Sequence, residues 1–196
     1  MGLRVSKPQP EGKPHSWYRD NFFLTTDKRY LEPHVVNDIF RSDLMWWNDP
    51  LEPGQMKKML DNCLTLCLYW VPETEEQMRM KIPESGVPLR REGPDFKMVG
   101  FARLVTDYVS FAYLTDVFVL RDYQRRGLAS WMIRSIKEVV MEWPDLRGLT
   151  LMANDKISAR MYERDLGALE FDKGPSAGLI MLEMPGRAEK GVPKDH

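Results

Sequence analysis

The chain has 196 residues, in which 28 Lys and Arg nearly balance 29 Asp and Glu to give a net charge of −1. A hydrophobic share of 43% with 29% charged residues is that of a globular chain and excludes wholesale disorder. Near-neutrality also excludes a protein whose main work is to coat nucleic acid or an anionic membrane, because both need a broad excess of Lys and Arg.

Residues 1–16 are rich in Pro, Gly and charge and read as a flexible arm, without the apolar core of a secretory signal. Phe22 to Thr26 suggest a first strand. Pro33 opens a helix through Val35, Val36, Ile39 and Phe40, and Pro53 opens another through Met56, Met59 and Leu60. Leu64 to Val71 is a continuous apolar run stopped by Pro72, the pattern of a central strand. It holds Cys67, with Cys63 just before it; that spacing fits no zinc pattern, so no metal is expected, and the pair reads as buried thiols of a reduced, cytoplasmic protein.

Residues 72–96 carry four prolines and ten charged residues, a long irregular insertion that suits either a substrate lid or a solvated loop. Met98–Thr106 and Phe111–Leu120 form a predicted hairpin across Asp107–Ser110. After the turn Arg121–Arg126, apolar residues from Leu128 to Val140 recur at helical spacing, and Pro144 stops the helix. A strand at Leu149–Ala153, a helix at Ile157–Leu166 and a last strand at Gly178–Met184 follow, before a flexible tail at 186–196. This order predicts an α/β fold: one domain over 17–185 around a mixed sheet with helices on both faces. No stretch reaches the roughly 18 apolar residues of a membrane span, so neither a membrane nor a nucleic acid is expected as partner.

The chemistry concentrates in DVFVLRDYQRRGLASW, Asp116 to Trp131, where a strand passes into a helix. Gly127 and the small Ala129 let an anion approach the backbone. The first N–H groups of the helix lack intrahelical acceptors, and the helix dipole adds positive charge there. Five basic residues and one acidic residue between Arg121 and Lys137 give this segment a local charge of +4. No Gly-Lys-Ser or Gly-Lys-Thr follows, and a single Gly stands where a dinucleotide fingerprint needs three.

Gln124-x-x-Gly127-x-Ala129, preceded by MVGFARL at Met98–Leu104 and followed by MYERDLGALEF at Met161–Phe171, resembles the motifs of the GCN5-related N-acetyltransferase (GNAT) superfamily. The run VGFARLVTDYVSFAYLTDVFV, Val99 to Val119, is similar to a group of small members of that family. The resemblance implies the GNAT fold, a mixed sheet splayed between its fourth and fifth strands, and acetyl-CoA as cosubstrate with no metal. It further implies that backbone groups of Val117, Phe118 and Val119 pair with the pantetheine arm. The segment Gln124, Arg125, Arg126, Gly127, Leu128, Ala129 and Ser130 then holds the pyrophosphate.

By the same resemblance, Tyr162 is the general acid that protonates the departing sulfur. The positions where related proteins carry Glu or His are Tyr113 and Thr115 here, so Tyr113 either orients a water that takes the amine proton or lines the acceptor pocket. Asp116 is a second catalytic candidate. Strand alternation sets it on the face opposite Tyr113 and Thr115, and a bulge would reverse that. Related proteins touch the pantetheine arm with an Asn seven residues before the Tyr; Asp155 has that spacing, and Asn154, one residue away, is the expected ligand. Arg103, Asp107, Trp46 and Trp47 read as a paired surface Arg, a turn Asp and two core indoles, or as acceptor-pocket residues. The expected acceptor is a small-molecule amine, with a protein N-terminus or Lys, or a CoA-binding module without catalysis, as alternatives. The chain is expected to be a monomer or a homodimer.

Overall fold

In a computed structural model the described residues are 13–71, 97–180, 182 and 184. The insertion at 72–96, the tail at 186–196 and most of the arm lie outside them. Six strands form one sheet in chain order: β1 Ser16–Arg19, β2 Phe22–Thr25, β3 Leu64–Trp70, β4 Lys97–Thr106, β5 Phe111–Val119 and β6 Gly148–Leu151. The first five pair antiparallel, and β6 joins β5 in parallel, so the sheet is mixed and open.

Four α-helices accompany it among the described residues: α1 Pro33–Phe40, α2 Pro53–Asp61, α3 Leu128–Val140 and α4 Lys156–Leu166. Pro sits in the first turn of both α1 and α2, where its missing N–H costs nothing. Val36, Phe40, Met56 and Leu60 from these two helices pack with Phe23, Cys67, Tyr69 and Phe101 on one face of the sheet. Leu128, Met132, Ile133 and Ile136 of α3 and Tyr162 of α4 pack with Leu24, Leu66, Leu68, Leu104 and Leu114 on the other. Strand β3 thus sends alternate side chains into two cores, which is why its sequence is apolar without a break.

Two sequence expectations need correction. Ser16–Arg19 is a strand, ahead of the Phe22–Thr26 run that the sequence suggests as the first one. It forms because Ser16 to Arg19 pair with Thr25 to Phe22. With β1 counted, the two strands read as the fourth and fifth become the fifth and sixth, and they are the parallel pair. Conversely, no strand forms over Gly178–Met184 among the described residues. Gly178 stands at φ 89°, and Leu179, Ile180, Leu182 and Met184 are exposed, so this apolar run lacks the ladder that would make it a strand.

Asp107 closes the hairpin as a turn residue, accepting from the N–H groups of Val109, Ser110 and Phe111 and from the Ser110 hydroxyl. Those four donors hold its carboxyl well below the usual range. At the far end, Gly167 stops α4 in the left-handed region at φ 78°. The N–H groups of Gly167 and Ala168 donate to the carbonyls of Glu163 and Tyr162. Gly167→Ala is therefore expected to lower stability by about 1 kcal/mol, read as the midpoint shift in urea denaturation with unchanged m-value.

Candidate active site and anion loop

The site begins where the β5–β6 ladder ends. Pairing runs from Phe111 with Gly148 to Leu114 with Leu151, and β5 continues to Val119 without a neighbour on that side among the described residues. The register of β4 with β5 also slips between Phe101 and Arg103, so two residues of β5 oppose one of β4. The slip coincides with Asp116, at φ 52°. This is the β-bulge that the alternation of the strand left open.

The bulge decides which way Asp116 points. Its Oδ2 accepts from Arg103 Nε at 2.6 Å, and its Oδ1 accepts from Asn48 Nδ2 at 2.9 Å and from the Thr115 hydroxyl at 3.3 Å. Arg103 lies opposite Thr115 in the ladder, so Asp116 shares the face of Thr115 rather than the opposite one predicted by simple alternation. The ion pair is buried, with side-chain exposures of 15% for Arg103 and 2% for Asp116. Arg103 is thus a paired residue, but an interior one. The Cys63 thiol lies nearby and is pushed up, chiefly by burial.

Tyr113 is half-buried on β5, opposite Val105 on one side and Thr150 on the other. Val117 is half-buried, and Phe118 and Val119 are buried. The carbonyl of Val119 accepts from Gln124 Nε2 at 2.9 Å, so this side chain ties the end of β5 to the loop that follows. Trp46 and Trp47 meet edge to face, their centroids 5.5 Å apart, after a short 3-10 turn at Asp43–Met45 that packs near β5. Both indoles are half-buried.

Beyond Leu120 the chain makes a 3-10 turn at Arg121–Tyr123 and then the loop Gln124–Gly127. Arg125 at φ 59° and Gly127 at φ 72° are both left-handed, and Gly127 is the N-cap of α3 with no side-chain cap bond. Arg125, Arg126 and Gly127 are exposed, Leu128 is buried and Ala129 and Ser130 are half-buried. A helix start with no capping side chain leaves its first N–H groups facing outward, the arrangement that binds anions. The Ser130 hydroxyl is already engaged, accepting from Arg164 Nη2 at 2.6 Å. That contact links α3 to α4.

Helix α4 carries the remaining candidates. Asp155 is its N-cap, accepting from the N–H groups of Ile157 and Ser158 and from the Ser158 hydroxyl. These bonds, the Ser158 N–H foremost, hold its carboxyl below the usual range. Asn154, beside it, is exposed. Tyr162 is 8% exposed within the α3/α4 core, and its hydroxyl bonds to no group among the described residues. Burial, aided by the Asp155 charge, pushes the phenol up to about 12. It is therefore neutral at physiological pH and available as a proton donor.

Sequence reasoning missed Asn48 and Arg19. Asn48 meets Asp116 across 68 positions of sequence, and Arg19 reaches the loop carbonyl of Arg126 across 107. A polar residue near two tryptophans was the sole signal for the first, and nothing marked the second.

Three comparisons bear on this geometry. The model of the acetyltransferase (GNAT) family matches residues 54–168. A protein of Gibberella zeae, provisionally named an acetyltransferase, is 29% identical over 177 residues, 89% of this chain and 96% of its own. Among solved structures, a provisionally assigned GNAT acetyltransferase from Xanthomonas campestris has a TM-score of 0.53 at 21% identity, over 86% of this chain and 97% of its own. A GNAT-family acetyltransferase from Streptococcus pneumoniae has a TM-score of 0.52 at 15% identity, over 84% and 99%. The two structures share the fold.

Two stability effects follow. Asp116→Ala leaves the Arg103 guanidinium buried without its partner and is expected to cost about 3–5 kcal/mol, while Asp116→Asn, which keeps acceptor and shape, costs less; chemical denaturation ranks them. For Tyr162, an unfolded phenol ionises near pH 10 and the folded one near 12. The native state then holds more protons in that window, so stability falls as pH rises through it. Melting curves from pH 9 to 12 are expected to fall more steeply for the wild type than for Tyr162→Phe.

Proposed function

The chain belongs to the acetyltransferase (GNAT) family, and on that premise we propose that it transfers an acetyl group from acetyl-CoA to the primary amine of a small molecule. The observation that carries this reading is the junction of two features. On the side of β6, the β5 edge from Thr115 to Val119 has no strand beside it among the described residues, and it leads through Gln124 into a left-handed, uncapped helix start.

The residues present fit the cosubstrate. An extended chain of amides finds unpaired backbone along β5, and a diphosphate finds the outward N–H groups of Gly127, Leu128 and Ala129 with Arg125 and Arg126 alongside. Asn154 is exposed and lies next to Asp155, whose carboxylate is consumed as the α4 cap, so Asn154 is the one of the two with a side chain to offer. When bound, acetyl-CoA supplies an acetyl group activated as a thioester.

The chain's own groups handle the protons. Tyr162 holds its proton up to about pH 12 and serves as the general acid. Tyr113, half-buried at the end of the β5–β6 ladder, orients a water that takes the amine proton. Asp116 has both oxygens engaged by Arg103, Asn48 and Thr115, so its role is to set the face on which Thr115 and the acceptor lie. Near-neutral overall charge supports a small acceptor over an extended charged one. The burial of both cysteines, Cys63 and Cys67, supports a cytoplasmic setting.

Acetyl-CoA is expected to raise the melting temperature through preferential binding to the native state, and a null result at saturation overturns the reading. Thiol release measured against polyamines, amino acids, arylamines, amino sugars and peptide N-termini identifies the acceptor. Tyr162→Phe is expected to lower kcat by about 10²-fold or more with little change in CoA affinity. An equal loss of both would assign Tyr162 to cofactor packing.

A further inference from the structure

Strand β1 lies along α3, and alternate residues just before and within it reach that helix. The His15 ring bonds Glu142 at 2.9 Å, the Trp17 indole N–H donates to Glu138 at 2.8 Å, and the two rings stack with centroids 5.7 Å apart. Next in this series is Arg19, whose guanidinium carbon stands 5.8 Å from the centre of the Trp131 ring. Its Nη2 donates to the carbonyl of Arg126 at 2.8 Å, and its Nη1 reaches the carbonyl of Gly127 at 3.5 Å. Residues 127, 131, 138 and 142 are four, seven and four apart and fall on one stripe of the helix.

The consequence for the loop follows from the planarity of the peptide unit. In a trans peptide the C=O and the following N–H point in opposite directions. Holding the Arg126 carbonyl toward β1 therefore turns the N–H of Gly127 away from β1, outward from the loop. Gly127 is left-handed and has no capping side chain, so nothing within its own turn fixes that peptide. Arg19 also brings a positive charge behind the loop, shared with the exposed Asp20 carboxylate 3.7 Å from its Nε, and 39% of its side chain is exposed. A guanidinium fork suits this task because it presents parallel donors to two carbonyls at once.

We infer that Arg19 is a positioning residue for diphosphate binding: it clamps the Arg126 and Gly127 carbonyls and so presets the N–H groups of the loop that receives CoA. The inference rests on the acetyl-CoA reading above, and its test separates the two. Calorimetry measures the affinity of ligand-free protein for CoA and for pantetheine, which lacks the diphosphate, in the wild type, Arg19→Ala, Arg19→Lys and Trp17→Phe. Arg19→Ala is expected to weaken CoA binding about tenfold to a hundredfold, in line with the loss of charge-assisted hydrogen bonds, and to leave pantetheine binding unchanged. Arg19→Lys keeps the charge but not the fork and is expected to fall between. Trp17→Phe removes the Glu138 bond from the same strand without touching the loop and is expected to bind CoA as the wild type does.

Three results overturn the inference: CoA affinity unchanged in Arg19→Ala, equal loss of CoA and pantetheine, or a Trp17→Phe loss as large as that of Arg19→Ala. The last two would make β1 a general support of the fold. Should Arg19→Ala fail to fold, Arg19→Lys against Trp17→Phe carries the same comparison. If the wild type binds no CoA at all, the cosubstrate reading itself is at fault.

Discussion

A strand keeps its ladders on both sides only while its backbone stays extended, and β5 breaks that condition at Asp116. A non-glycine residue in the left-handed region costs about 1–2 kcal/mol. Here the cost is offset by a buried ion pair and a side-chain amide, each donating to the same carboxylate. The break has two effects on opposite edges of one strand. Toward β4 the pairing resumes one residue out of step. Toward β6 it has already stopped at Leu114, so among the described residues the last five of β5 present an open edge on that side. The shape of this end of β5 thus depends on a contact with Arg103 and Asn48 that lies on the opposite face from α3 and α4.

Where periodicity alone determines burial, the fold was legible in the sequence. The apolar stripe of α3, the unbroken run of β3 and the hairpin around Asp107 have local causes, and each stands where the residues put it. The exceptions share a different origin. Ser-Trp-Tyr-Arg has no strand signal of its own beside a Pro-rich arm, and β1 exists because β2 and α3 supply its partners. The face of Asp116 was undecidable from alternation, since one inserted residue reverses it. Gly178–Met184 has strand composition but forms no strand among its described residues, because composition describes how a segment is buried once paired and does not provide the pair. In the candidate site, the left-handed, uncapped start of α3 was legible from Gly127 and its setting, while Asn48 and Arg19 enter through contacts across 68 and 107 positions of sequence.

Charge needs the same distinction between sequence and space. The segment from Arg121 to Lys137 carries +4, yet several of those charges are neutralised or directed elsewhere. Arg121 pairs with Asp43, and Arg134 joins Arg164 on the buried carboxylate of Asp165. Arg164 foremost holds that carboxyl below its usual range. What remains at the loop is Arg125 and Arg126, reinforced by Arg19 from a strand outside the segment and by the dipole of α3. The count of basic residues along the chain and the charge gathered at the loop in space thus have partly different sources.

Asp155 shows how one residue can serve the fold and the chemistry together. Its spacing from Tyr162 suggested a place on the cofactor, but its carboxylate is bound to the first N–H groups of α4 and is not free to be one. Those same bonds keep it ionised. An ionised carboxylate seven residues before Tyr162 lies on the same side of the helix, and its field opposes a second negative charge on the phenol. Burial of Tyr162 acts in the same direction and is the larger effect. The cap that starts α4 and the core that covers it therefore both keep the Tyr162 hydroxyl protonated at neutral pH, which leaves it unsuited to serve as a base.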